Sequence, residues 1–342
     1  FNQAYIGVNY QTIGRVGQQL GADLYLGPIY TWGTIGGRTD FYMWKPVFLD
    51  YSYNFAVRNF RHGSFGNITK IDNTRQVKNS ESFFSVAAGM PLAHRGVFLI
   101  RANGGHVNYR YDSDELFADD TDHSRYSFFG IKAELARNTL DKFLYPRRGS
   151  DLKLSGIFVT GRDKYEPFDA EKFLSRTSRQ WVGARLTWDK YFDMPGCSWF
   201  SLGLNVDGVI TNHPEFTTEG ATVMSMPAYE PVPHAQMIYM PDFRGKRFAA
   251  GGVMPTFDLM PNFFLRTGFY AMFREKRSFV PGVSGPVEDK RWHYIAEASL
   301  VYHTPIGPVS LALTKYDLRN WKNMYLTFNF GYAIFAPKGT FY

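Results

Sequence analysis

The chain has 342 residues, a formal net charge of +7, 44% hydrophobic and 18% aromatic residues, and a single cysteine, Cys197. One cysteine excludes an intramolecular disulfide framework, and no run of about 18 apolar residues is present to make a transmembrane helix. The basic residues are scattered, without the stripe or stacking motif that nucleic acid requires, so nucleic acid is not an expected partner.

The first residues, FNQAYIGVNY, contain no initiator methionine, basic n-region or apolar h-region, and read as the start of a mature or excised chain. From there the dominant period is two. Strands are predicted over 2–12, 18–32, 41–59, 66–77, 81–91, 96–111, 125–138, 150–161, 178–193, 197–211, 247–258, 262–274, 291–303, 307–316 and 322–336. In GSDLKLSGIFVT, Leu152, Leu154 and Phe158 oppose Asp151, Lys153 and Ser155. In RQWVGARLTWDKYF, Val182, Ala184, Leu186 and Trp188 oppose Arg185, Thr187 and Asp189. In CSWFSLGLNVDGVI, Phe200, Leu202, Leu204, Val206 and Ile210 oppose Trp199, Ser201, Asn205 and Asp207. KNMYLTFNFGYAIF sets Met324, Leu326, Phe328 and Phe330 against Asn323, Tyr325, Thr327 and Asn329. A strand separates such sets onto two faces and a helix does not.

These segments run to roughly 10–16 residues, where globular strands average about 5–6. About 9–11 tilted residues cross a bilayer core, and only a closed barrel satisfies every backbone group in lipid. Charges in mid-strand on the polar face suit a wet lumen. The fold class is therefore all-β: a transmembrane antiparallel β-barrel of the bacterial outer membrane, rather than a soluble sandwich. Tight turns (13–17, 91–95, 193–197, 260–262, 304–307) alternate with longer links (112–124, 162–177, 212–246, 275–290), as periplasmic turns alternate with external loops. An odd count of fifteen implies a further strand before Phe1, unless 41–60 holds two. The chain is one domain, 1–342, whose expected partners are the bilayer, lipopolysaccharide or phospholipid headgroups, and a second copy of itself. Aromatics at 30–32, 41–44, 127–129 and 328–330 read as interfacial girdles.

No catalytic residue, cofactor or metal ligand is identified. The acidic run Asp112, Asp114, Glu115, Asp119, Asp120 and Asp122 lacks calcium-loop spacing and reads as a solvated external loop. The eight histidines form no metal-binding pair. GVSGP at 282 and HGSFGN at 62 lack the nucleophile-elbow context. Cys197 reads as a small apolar residue beside a turn.

NTLDKFLYPRRGSDLKLSG, with Asp141, Pro146 and Gly149, resembles the mid-chain turn of BamA/TamA/FhaC-type outer-membrane barrels. FRGKRFAAGG resembles the arginine-glycine motif of that superfamily's long sixth loop, and HTPIGPVSLALTKY with YLTFNFGYAIF its last two strands. Within the superfamily, FRGKRFAAGG and LVYHTPIGPVSLAL are most like the barrel of outer-membrane patatin-like phospholipases. The resemblance implies sixteen strands, and a loop, 212–246, that folds inward and latches through Phe243, Arg244 and Gly245. The superfamily's acid facing that arginine is replaced by Arg266, so Glu297, which alternates onto the lumen face, is the expected latch partner.

Three functions remain open on these grounds. The barrel anchors, or helps carry, a periplasmic patatin-like lipolytic domain of the same polypeptide. It assembles or translocates proteins, as BamA and TamA do. Or it is a diffusion porin.

Overall fold

The computed structural model describes all residues except 1–3, 15, 28–29, 43–44, 62–75, 113–120, 167–174, 198, 234, 236–237, 239, 276–290, 306, 319–323 and 332–342. Fifteen strands form one sheet in strict sequence order, each antiparallel to the next. They are β1 (Ala4–Thr12), β2 (Gly17–Leu26), β3 (Tyr30–Tyr42), β4 (Pro46–Arg61), β5 (Gln76–Leu92), β6 (Gly96–Asp112), β7 (Thr121–Asn138) and β8 (Gly149–Glu166), then β9 (Ser175–Asp193), β10 (Phe200–Thr211), β11 (Arg247–Met260), β12 (Phe263–Arg274), β13 (Trp292–Thr304), β14 (Gly307–Tyr316) and β15 (Met324–Phe330). One short helix, α1 (Glu219–Ser225), lies in the link between β10 and β11. No described helix is long and apolar enough to cross a membrane.

The two faces follow the alternation. Leu154, Val182, Ile210 and Phe328 are exposed on the outer face. Ser155, Trp181 and Val209, each one position away on the same strands, and Tyr325, three positions from Phe328, are buried on the inner one. Apolar groups face lipid without penalty, while inward polar groups pair with one another or with the loop that fills the lumen.

Short turns mark one end of the sheet, at 13–16, 43–45, 93–95, 139–148, 194–199, 261–262 and 305–306, and longer links join most of the strands at the other. Because the number of strands is odd, β1 and β15, the two edges, run in the same direction. Every residue of β1 from Ala4 to Gln11 is exposed.

The described strands also number fifteen, but not the same fifteen: β5 runs unbroken through 78–80, where a break between 66–77 and 81–91 was expected, and the boundaries near the start differ. The segment 18–32 divides at 27–29 into β2 and the head of β3, and 41–59 divides at 43–45 into the tail of β3 and β4. Both breaks fall inside continuous alternation, where a two- or three-residue turn leaves no gap in the pattern. The segment 66–75, most of the acidic run, both serine motifs, His62 and His234 lie outside the described residues. The girdle reading fails at two places. Tyr30 and Trp32 are buried facing inward, as is Phe128. A guanidinium from Arg58 lies 5.2 Å over the Tyr30 ring, drawing that aromatic end into the lumen. Phe328 and Phe330 do face outward, as girdle residues should.

Candidate functional site

The lumen is occupied by the chain's own 212–246 link. Its local fold starts at Thr218, whose hydroxyl accepts from Ala221 N (3.4 Å) and caps α1. Every residue from Ala221 to Ser225 is buried, and the helix stops at extended Met226 ahead of Pro227. The last carbonyls of a helix lack intrahelical donors. Arg244 supplies one: its Nη1 donates to Met224 O (2.9 Å) and Met226 O (3.2 Å). A small hairpin brings it there, with an isolated bridge between Ala228 and Arg244, Tyr229 N donating to Phe243 O (2.9 Å) and Gly245 N to Pro227 O (3.2 Å).

The loop is tied to the wall on both sides. Arg185 makes a bidentate pair with Asp207 (3.1 and 2.7 Å) and donates to Ala228 O (3.1 Å). Asp163, fully buried, accepts from Thr217 N (3.1 Å) and Oγ1 (3.0 Å). Tyr229 donates to Asn205 Oδ1 (2.7 Å), and Lys246 pairs with Glu215 (3.2 Å). Phe216, Ala221 and Met224 pack on inward residues of β5 to β9, including Phe83, Tyr126 and Trp181. Tyr229, Val232, Ala235 and Phe243 pack on inward residues of β9 to β15. His213 sits at the loop's entry, 1% exposed, 4.5 Å from the Trp181 ring and 5.4 Å from Phe216. Neither of its ring nitrogens is hydrogen-bonded among the described residues. Burial pulls its pKa down to about 3, so the ring is neutral.

Each latch residue has a place in this arrangement. Phe243 is buried, edge-on to His293 (5.6 Å) and Tyr316 (6.1 Å). Gly245 lies beside Arg274, whose Cβ would meet an added methyl group at 3.5 Å, an ordinary van der Waals contact. Arg244 points toward β6, where its charge acts on Tyr109. Glu297 faces the lumen as alternation predicts, but belongs to another group of residues. It accepts from Ser299 Oγ (2.5 Å), and its charge acts on Arg266, a diagonal neighbour across β12 and β13. Arg266 is buried between the rings of Tyr145 (5.6 Å) and Tyr191 (5.7 Å), with its Nη2 2.7 Å from Met254 Sδ. Tyrosine faces and a nearby carboxylate offset the cost of burying that cation. Arg266 and Arg244, which would repel if they faced each other, thus lie in separate surroundings.

The 139–149 turn also enters the lumen, from the short-turn end. Asp141 Oδ1 accepts from Arg147 N (2.9 Å) and Arg148 N (3.1 Å), and Asp141 N donates to Arg148 O (3.1 Å). That clasp turns Tyr145 and the buried Pro146 inward. The Tyr145 hydroxyl donates to Ser310 Oγ on β14 (2.9 Å), and its ring packs with Phe264 and Val301. Arg147 pairs with Asp258 on β11 (2.6 Å). Gly149 has φ +100°, and a Cβ there would lie 2.2 Å from Thr139 O. Gly149→Ala is therefore expected to displace the turn at a cost of about 1–3 kcal/mol. The readout is a lower thermal midpoint for loss of the folded, heat-modifiable band on gels; an unchanged midpoint contradicts the role of this glycine.

Sequence reasoning missed Tyr145, Arg147, Asp163 and His213. The inward Asp207 and Arg185 were visible as polar positions in apolar strands, but their pairing with the loop was not.

Fifteen long antiparallel strands, apolar outside and polar inside, wrapped round an inward-folded loop, define a bacterial outer-membrane β-barrel. Among solved structures the chain is similar to BamA from Haemophilus ducreyi lacking POTRA domains 1–3, at 12% identity and a TM-score of 0.61, over 95% of this chain and 68% of that one. It is also similar to CdiB from Acinetobacter baumannii, at 10% identity and a TM-score of 0.51, over 95% of this chain and 55% of that one. At such identities the likeness is one of fold, and the fold is that of a BamA-type barrel. No protein-family model and no curated protein matches the chain.

Proposed function

We propose that the chain is the barrel of an outer-membrane protein-assembly or translocation machine. The observation that carries this reading is the BamA-like fold over 95% of the chain, shared with CdiB from Acinetobacter baumannii. One structural feature supports it. The lumen is filled by the chain's own loop, which weighs against free diffusion and so against a porin.

The reading as the anchor of a patatin-like lipolytic domain rests on FRGKRFAAGG and LVYHTPIGPVSLAL and takes second place. A photo-crosslinking residue at Asn9 of β1, in the full-length protein in cells, tests the choice. Crosslinks to newly made outer-membrane or secreted proteins are expected. Their absence, together with phospholipid hydrolysis by the purified full-length protein, returns the anchor reading to first place.

A further inference from the structure

A cavity of about 260 Å³ lies at the short-turn end of the barrel, outside the loop site. Three segments distant in sequence build it: Lys142 and Arg147 from the 139–149 turn, Asp258 to Asn262 around the β11–β12 turn, and His303 near the end of β13. Arg147 already gives one nitrogen to Asp258, yet its Nε is enclosed without a hydrogen-bond partner. The Nε2 of His303 is likewise enclosed and unpartnered. The ring is held in place by Phe264, 5.3 Å away, and by its own backbone N–H, which donates to Asn262 O (2.8 Å). Lys142 completes the lining.

Enclosed nitrogens without partners each cost about 1–3 kcal/mol, and such groups in a folded protein call for an explanation. The nearby acids do not provide it. Asp258 is engaged by Arg147, and Asp141 by the backbone of Arg147 and Arg148. Beyond Asp258, which Arg147 Nη1 already engages, no carboxylate lines the cavity to meet Arg147 Nε, His303 Nε2 and Lys142. Leu259 and Met260, which line it as well, are exposed. Apolar side chains there meet acyl chains at the level where headgroups begin.

We propose that this cavity binds the phosphate of a glycerophospholipid from the periplasmic leaflet, with Lys142, Arg147 and His303 as its donors and Leu259 and Met260 against its acyl chains. Phosphate oxygens accept from arginine and lysine in short charge-assisted bonds. A lipid held here would contact the turns of β7–β8 and β11–β12 together. The site stands apart from the function proposed above and does not depend on it.

Native mass spectrometry of the full chain, purified in detergent and titrated with phosphatidylglycerol, provides the test. One lipid per barrel is expected at low concentration, with binding at least tenfold weaker in the Lys142→Gln/His303→Gln double variant. Met260→Ser should weaken lipid binding while leaving those cations in place. Heat-modifiability on gels establishes that each variant is folded. Equal lipid retention by folded wild type and double variant overturns the proposal. So does saturable binding of inorganic phosphate that phosphatidylglycerol cannot displace, which would make this a site for a free anion.

Discussion

Arg244→Ala is expected to turn a barrel of low conductance into an open one. The guanidinium bridges two carbonyls that the end of α1 leaves unsatisfied, and it sits in the hairpin that carries Phe243 into its pocket. Hydrogen bonds from a charged donor are worth about 1.5–3 kcal/mol each, so losing both shifts loop docking by about 3 kcal/mol. That raises the undocked fraction roughly a hundredfold. Planar bilayer recordings of wild type and variant at matched protein density measure it. Arg244→Lys should recover only part of the closed behaviour, because an ammonium is a point charge that cannot span two acceptors with fixed geometry. A wild type that already conducts like a porin removes the premise.

Acidification is expected to loosen the same loop through His213. The ring is neutral because burial disfavours its charged form, with the cations Lys246 and Arg179 opposing protonation as well. A free histidine titrates near 6.5, whereas this one is held near 3. Between those values the undocked loop binds a proton that the docked loop refuses. Docking is therefore unaffected above about pH 6.5 and weakens as pH falls, by roughly 1.4 kcal/mol for each unit. At pH 5 the loss comes to roughly 2 kcal/mol. Limited proteolysis of the loop at pH 7.5 and pH 5 reads it directly. His213→Phe keeps an aromatic ring against Trp181 and should abolish the pH dependence; the same dependence in that variant would assign it to another group.

The wall was legible in the sequence because the signal is local. A period of two needs only neighbours, so Leu152, Leu154 and Phe158 on one face, against Asp151 and Ser155 on the other, announce both the strand and its orientation. The lumen's contents were legible only in part. Loop 212–246 could be seen as long, proline-bearing and inward-folding, and Glu297 as inward-facing. Contacts across the lumen were not visible. Tyr145 meets Ser310 at a separation of 165 residues, and no short-range pattern encodes that pair. The same holds for Arg244. An arginine beside a glycine suggested a carboxylate partner; nothing in the sequence pointed to two acceptors that Arg244 meets, carbonyls at the end of a short helix that the alternation rule does not reach. Tyr30 and Trp32 show the converse error: aromatic identity suggested a lipid interface, while parity in the strand placed them inside.

The ring contacts of Phe243 reach beyond the loop. Phe243 lies edge-on to Tyr316 of β14, and Tyr316 in turn lies edge-on to Tyr325 of β15, 5.6 Å away. This row of three rings connects the interior filling to the terminal strand of the sheet. Peeling β15 away from β14 disturbs the last ring, and lifting the loop disturbs the first. The barrel's margin and its interior thus form one mechanical unit, in which freedom at the margin depends on whether the interior is docked.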